Sequence, residues 1–324
     1  MDTYPNQETE SPEQVSEKLA VPLAGAYLDT SAIRAYSSGD TWLKDASAHT
    51  SILTYIELLD GSTTSQKEYV RRRAAFRKIK SMGVLLTSPY LPLLTVMRAF
   101  PYVHDLLEIH TVDFEAVTEL VEVMLRTELA TEFDVHLRRN EQWVTIQENF
   151  AGFAKEVVGN FDPQSKALRD KFERASAAEL AMLSLEGIQS TRERMVRFIR
   201  HPLNRACSLL ALAYSISVAV GRDDELTQRP IYHSFNQLAL PYIDAISVAF
   251  MDRMSRGELP QVNDVYDQFH FAYLEPRVLL VSNDQRMRSL ASDIGLTAVD
   301  ANGFRQMAQT NIARRDSEQS GAET

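Results

Sequence analysis

Apolar positions run along this chain in two rhythms. Short unbroken runs occur at Ala24–Leu28, Val84–Thr87, Val278–Val281 and Leu296–Val299. Runs of that length, bounded by polar or turn residues, read as strands of a buried sheet. Elsewhere apolar residues recur every three or four positions, the period of an amphipathic helix. That spacing predicts helices from Ser31 to Tyr36, Ile52 to Leu59, Ser65 to Ser81, Phe235 to Met254, Val262 to Leu274 and Arg286 to Ile294. Thr50 or Ser51 is placed to cap the second of these, and Gly61 and Gly295 to stop two of them.

From about residue 105 to 235 the strand rhythm disappears. Helical periodicity covers Val112–Arg139, Glu141–Val158, Gln164–Glu186, Thr191–Ile199 and Pro202–Val220, with breaks near Gly159–Pro163, Gly187 and Gly221–Asp224. Strands alternating with helices at both ends predict an α/β fold, a parallel sheet flanked by helices. It would be assembled from residues 23–104 and 236–305 and interrupted by a large all-helical insertion, 105–235. Residues 1–22 read as a disordered arm and 306–324 as a polar C-terminal tail.

Composition refines this picture. A chain of 324 residues can bury one large core or two smaller ones. With only 12 glycines it disfavours Gly-rich phosphate-binding architectures. The single cysteine, Cys207, excludes a disulfide framework within the chain and a cysteine zinc cluster. It begins an apolar run and is expected to be buried. No basic-then-apolar leader opens the chain and no run reaches membrane-spanning length, so a cytoplasmic location away from membranes is expected. The formal net charge of −10 weighs against strong non-specific binding to a polyanion. It does not exclude a nuclease, because metal-holding carboxylates count as full negatives.

Several of those acids fall where a parallel sheet would carry a site. Ligands sit outside the carboxyl ends of such strands. Asp29 ends the first strand, and Asp284 follows the Val278–Val281 strand. Glu57 lies inside an apolar helix between Ile56 and Leu58, and Asp264 and Asp267, three apart, share a helix face. Acids gathered on one rim repel one another, and a hard divalent cation such as Mg²⁺ or Mn²⁺ relieves that. Each acid also has a plainer role: Asp29, Asp264 and Asp284 as helix caps, and Glu57 as the partner of a buried Arg. His270 reads as a packed, hydrogen-bonded histidine.

In this order the residues resemble the PIN-domain family of metal-dependent nucleases. Asp29-Thr30-Ser31 matches its strand-end Asp followed by a hydroxyl residue, and Glu57 its helical Glu. Asp267-Gln-Phe-His270-Phe-Ala272 matches its third acid, and Ser282-Asn283-Asp284 its final Thr-x-Asp with Ser for Thr. The resemblance covers residues 23–104 and 236–305 and leaves the helical middle unexplained. It implies phosphodiester hydrolysis by metal-activated water, with RNA favoured over DNA as substrate. Asp29, Glu57, Asp267 and Asp284 would be catalytic and metal-holding, with Asp264 replacing or joining Asp267. Thr30, Ser31, Ser282 and Asn283 would orient those ligands or touch phosphate. The other reading is a catalytically silent PIN-like module that binds RNA or protein.

Arg71, Arg72, Arg73, Arg77 and Lys78 cluster on one helix and are candidate phosphate contacts. A second basic group is Arg192, Arg194, Arg197, Arg200 and Arg205. The plainer reading of both is a solvated, salt-bridged helix face. Between them Asp105–Glu148 carries eleven acids against three arginines, a surface better suited to a protein partner than to nucleic acid. Other architectures lack their marks. An Asp-x-Asp phosphatase needs an acid where Ser31 stands, and a dinucleotide-binding turn needs glycines that are absent. Oligomeric state and endo- or exonucleolytic mode leave no mark in the sequence.

Overall fold

Strand β1 (Gly25–Leu28) lies at the centre of a five-stranded parallel sheet in the order β3-β2-β1-β4-β5. The computed structural model describes residues 25–310, apart from 38, 89–94, 96–98, 105–111, 153, 156–157, 159–180, 182–184, 220–224, 238–239, 256–257, 259–260 and 276. The other strands are β2 (Ala48–Ser51), β3 (Leu85–Ser88), β4 (Val278–Val281) and β5 (Ala298–Val299). β1 pairs with β4 in register from Gly25↔Val278 to Leu28↔Val281. All four residues of β4 are buried, as is usual for a strand covered by helices on both faces.

The chain leaves β1 towards β2 and β3 on one side, then returns to place β4 and β5 on the other. The order therefore reverses between β1 and β4. The crevice outside the strand ends at such a switch point is where ligands bind in open α/β sheets.

The helices around β1 follow the apolar spacing closely. They are α1 (Thr30–Ala35), α2 (Ile52–Leu59) and α3 (Gln66–Met82). Ser65 caps α3 by accepting from the Glu68 N–H, and Gly83, at φ 66°, ends it in the left-handed conformation that glycine adopts without strain. β2 was not among the expected strands. Its sequence, Ala-His-Thr-Ser, looks like the approach to a helix cap, and Ser51 does serve as the N-cap residue of α2.

Other boundaries move for local reasons. The stretch Val112–Arg139 divides at residues 127–129 into α4 (Val112–Arg126) and α5 (Ala130–Arg139), followed by α6 at residues 141–152. Later come α7 (Thr191–Arg200), α8 (Pro202–Ala219), α9 (Glu225–Ser234) and α10 (Leu240–Ser255). α9 contains Pro230, and the next helix starts at Leu240 rather than at the expected Phe235. α11 (Val262–Phe269) tightens into a 3₁₀ turn, His270–Tyr273, and α12 (Gln285–Asp293) follows β4. A last helix, α13 at residues 301–310, crosses the expected boundary at 305. The N-terminal arm, residues 311–324 and nearly all of the predicted helix Gln164–Glu186 lie outside the described residues.

The helical middle packs directly on the sheet domain. α4 lies against α2 and α3, and one apolar cluster runs from β1 and β4 through Val117, Leu120 and Phe133. Polar contacts fix the seam. The Tyr69 hydroxyl donates to the Met124 carbonyl at 3.0 Å, and Gln66 accepts from the Ala130 N–H at 2.8 Å. Cys207 is exposed, contrary to expectation, because α8 turns that face outward together with Leu203, Leu210 and Tyr214. Among the described residues no helix is long and apolar enough to cross a membrane.

Candidate functional site

A cleft of about 700 Å³ opens at the carboxyl edge of the sheet, over the β1–β4 switch point. Asp29, Glu57, Asp267 and Asp284 all line it, each from a different part of the chain. β1 and β4 deliver Asp29 and Asp284 at their ends, α2 delivers Glu57, and α11 delivers Asp267. Ile146, Gln147 and Phe150 of α6 form part of the wall, so the helical insertion shapes the opening. The Gln147 side-chain amide donates to Asp60 Oδ1 at 3.0 Å, holding α6 against the end of α2.

Asp29 is only 3% exposed and is surrounded by donors. Ser282 Oγ donates to its Oδ2 at 2.6 Å, the Ala32 N–H to its Oδ1 at 2.8 Å, and Ser31 Oγ lies 2.8 Å from Oδ1. The cap role and the cleft position therefore coincide in one carboxylate. Burial outweighs His270 and those donors and raises its carboxyl above the usual aspartate range. Asn283 braces the arrangement. Its N–H donates to Ser31 Oγ at 2.8 Å, while its side-chain oxygen accepts from the Ala301 N–H at 3.1 Å.

Glu57 is held differently. Thr30 Oγ1 donates to its Oε2, and His270 Nε2 donates to its Oε1 at 3.1 Å. Burial acts to raise this carboxyl, but His270, the Thr30 hydrogen bond and the Arg34 charge bring it below the usual range. Behind it His270 Nδ1 lies 2.6 Å from the Tyr27 hydroxyl, which lies 2.8 Å from Ser51 Oγ. Burial disfavours a charged imidazole, yet Tyr27, Glu57 and Asp29 around it raise His270 well above its usual range. His270 is thus a buried, fully bonded histidine that orients Glu57.

Asp267 and Asp284 are the open members. Both are exposed at the cleft. Crowding by protein atoms, opposed by His270 and reinforced by Glu57, Asp284 and Asp264, pushes the Asp267 carboxyl up to about 6. Asp284 caps α12, accepting from the Arg286 N–H at 2.7 Å and the Met287 N–H at 3.3 Å. Asp264 stands apart from the cleft lining. It accepts from the Gln261 N–H at 2.7 Å in a capping box and pairs with Arg253 at 2.5 Å, so of the two α11 acids Asp267 is the one that lines the cleft.

The basic helix contributes one side chain to the lining, Arg72. Arg72 Nη1 donates to the Glu57 carbonyl at 2.6 Å and also to the Asp60 carbonyl, fixing the end of α2. Arg73 donates to the Leu125 carbonyl at 3.0 Å, Lys78 reaches the Arg34 carbonyl at 3.3 Å, Arg71 pairs with Glu68, and Arg77 is exposed on α3. Three of the second basic group form ion pairs, Arg192 with Asp252 and Asp293, Arg197 with Glu193 and Arg205 with Asp244, while Arg194 and Arg200 donate to the Ile188 and Asp293 carbonyls. The cleft cation that sequence reading passed over is Arg34. It stands four residues after Thr30, so α1 turns both towards Glu57.

Four carboxylates with only oxygen donors suit a hard divalent cation in chemistry. In their present rotamers, no three His, Cys, Asp or Glu side chains among the described residues are grouped so as to hold one. Asp29 and Glu57 are turned onto the hydroxyls and His270 instead. No family model, no curated protein and no solved structure matches the chain.

Proposed function

We propose that the cleft is the active site of a PIN-like, metal-dependent nuclease that hydrolyses phosphodiester bonds, with RNA as the favoured substrate. The observation that carries this reading is the gathering of Asp29, Glu57, Asp267 and Asp284 in one cleft at the switch point of a parallel sheet. Three of them have carboxyl groups displaced from their usual ranges, two upward and one downward, which accords with a functional cleft.

On this reading Asp29, Glu57, Asp267 and Asp284 would hold Mg²⁺ or Mn²⁺. The bound ion would supply an acidified water and stabilise charge on the attacked phosphate. Ser282 and Ser31 hold Asp29 in orientation, and Thr30 and His270 do the same for Glu57. The raised Asp267 carboxyl reflects burial and crowding with Glu57 and Asp284, the second a repulsion that a bound cation would relieve. Phe150 and Tyr266 add aromatic faces to the cleft wall.

One observation favours a second reading, a PIN-like module that binds RNA or protein without cutting it. The oxygens of Asp29 and Glu57 are occupied by protein donors, and no metal-holding group is formed among the described residues. Purified protein incubated with labelled single-stranded RNA and DNA, in Mn²⁺, in Mg²⁺ and in chelator, separates the two. Metal-dependent cleavage lost in both Asp29→Asn and Asp284→Asn supports the nuclease. Cleavage equal to wild type in both variants places the activity elsewhere. Binding without cleavage in any metal favours the silent module.

A further inference from the structure

Arg34 is an unusual cation in this molecule. Its side chain is half-buried on α1 and lines the cleft, and its guanidinium pairs with no described carboxylate; the shielded Nε it shares with Arg72, Arg73 and Arg305 does not set it apart. Its backbone carbonyl is held by Lys78. Most of the other cations near the sheet edge are engaged: Arg72 on two carbonyls, Arg73 on one, and Arg71 on Glu68. The Arg34 Nη groups carry no hydrogen bond or carboxylate partner among the described residues, so they are the donors free to take an anion entering the cleft.

Its position says which anion. Arg34 lines the same cleft as the acids and faces the part where Glu57 sits. The cleft thus has an acidic floor and a cationic flank. We propose that Arg34 is a phosphate-anchoring residue, whose planar fork takes two oxygens of a backbone phosphate of single-stranded nucleic acid and sets the strand beside the acids. This rests on the nuclease reading for its substrate class. The contact itself needs no metal and no cleavage, so the two stand or fall separately.

The test is binding of a short fluorescein-labelled single-stranded RNA to the full chain in EDTA, read by anisotropy over a range of salt. The variants are Arg34→Gln, Arg34→Lys and Arg138→Gln. Arg138 pairs with Asp134 on exposed helix surface away from the cleft and controls for loss of net charge. Arg34→Gln is expected to bind about tenfold more weakly, with a salt slope shallower by about one, the signature of one lost phosphate contact. Arg138→Gln is expected to bind as wild type. Should Arg34→Gln melt early, Arg34→Lys carries the comparison, with a loss of about threefold because an ammonium keeps the charge but not the fork. Wild-type affinity and slope in the Arg34 variants, or no binding by wild type, overturns the proposal. Weakened binding in a protein that cuts nothing keeps the phosphate site and removes the nuclease.

Discussion

His270 donates to Glu57 across 3.1 Å from the start of the 3₁₀ turn that ends α11, while its other ring nitrogen faces Tyr27 at 2.6 Å. The Tyr27 hydroxyl bridges His270 Nδ1 and Ser51 Oγ, and although burial disfavours the charged imidazole, its neighbours raise it well above its usual range. Tyr27 lies on β1, Ser51 ends β2, and Glu57 lies on α2, so one ring ties three elements to the site.

Replacing that ring should cost stability. His270→Gln is expected to lose about 2 kcal/mol, the scale of a buried hydrogen bond to a charged group. The urea midpoint should fall with an unchanged slope. A group raised on folding contributes fully below its unfolded value, about 6.5, and loses that contribution as pH rises through the folded value. The gap between wild type and His270→Gln should therefore be widest near pH 6 and narrow at alkaline pH. A gap that widens with pH would show that the ring is neutral in the fold.

Asp267 is also raised on folding, but here the fold favours the neutral rather than the charged form. Its carboxyl, pushed up to about 6, favours the protonated form in the fold, so stability is lost as pH rises through that value. In chelator, Asp267→Asn should match wild type near pH 4 and exceed it at pH 8. The gain should stay below about 1 kcal/mol because the side chain is open to screening by water. Adding Mn²⁺ should raise the melting temperature of wild type more than that of the variant. If Mn²⁺ moves both equally, Asp267 holds no metal.

Strands and acids were legible to different degrees, for physical reasons. β4 is an unbroken apolar run because parallel strands are buried on both faces, and the acids at the strand ends follow from it. β2 escaped because two of its three buried positions, Thr50 and Ser51, are polar. Thr50 Oγ1 donates to the Leu28 carbonyl at 2.8 Å and Ser51 Oγ bonds Tyr27, so hydroxyls satisfied across the sheet replace apolar side chains. Asp264 and Asp267 share a helix face, and only the tertiary position of Arg253 separates their roles. Arg34 carries no local mark at all. Its meaning depends on α1 and α2 meeting over the sheet edge.

The second basic group also shows what sequence charge hides. Asp244 is 2% exposed, and Arg205 pairs with it in a two-pronged contact. Burial raises the Asp244 carboxyl despite that partner. Removing the arginine leaves a buried acid alone. Arg205→Ala is expected to lose about 3 kcal/mol, and Arg205→Met with Asp244→Leu to recover most of it. Chemical denaturation of the three proteins measures this. RNA affinity should be unchanged in the folded double variant, and a large loss there would restore Arg205 as a nucleic-acid contact.

Phe150 tests whether the helical insertion belongs to the site. Its ring stacks on Tyr266 with centroids 6.2 Å apart and meets Phe269 edge-on at 5.4 Å, joining α6 to the helix that carries Asp267. Such aromatic pairs contribute about 1 kcal/mol beyond the area they bury. Truncation of a partly buried ring should cost about 2 kcal/mol in all, less than for a fully enclosed phenylalanine. Phe150→Ala should therefore fold, and it should widen the cleft wall. If that wall guides the strand, KM for single-stranded RNA rises by about tenfold while kcat changes little, because the acids keep their own supports from Ser282, Thr30 and His270. Phe150→Leu should recover the stability more than the KM, since it restores apolar bulk without a flat face. Equal recovery of both would make Phe150 a packing residue and leave the insertion outside substrate binding.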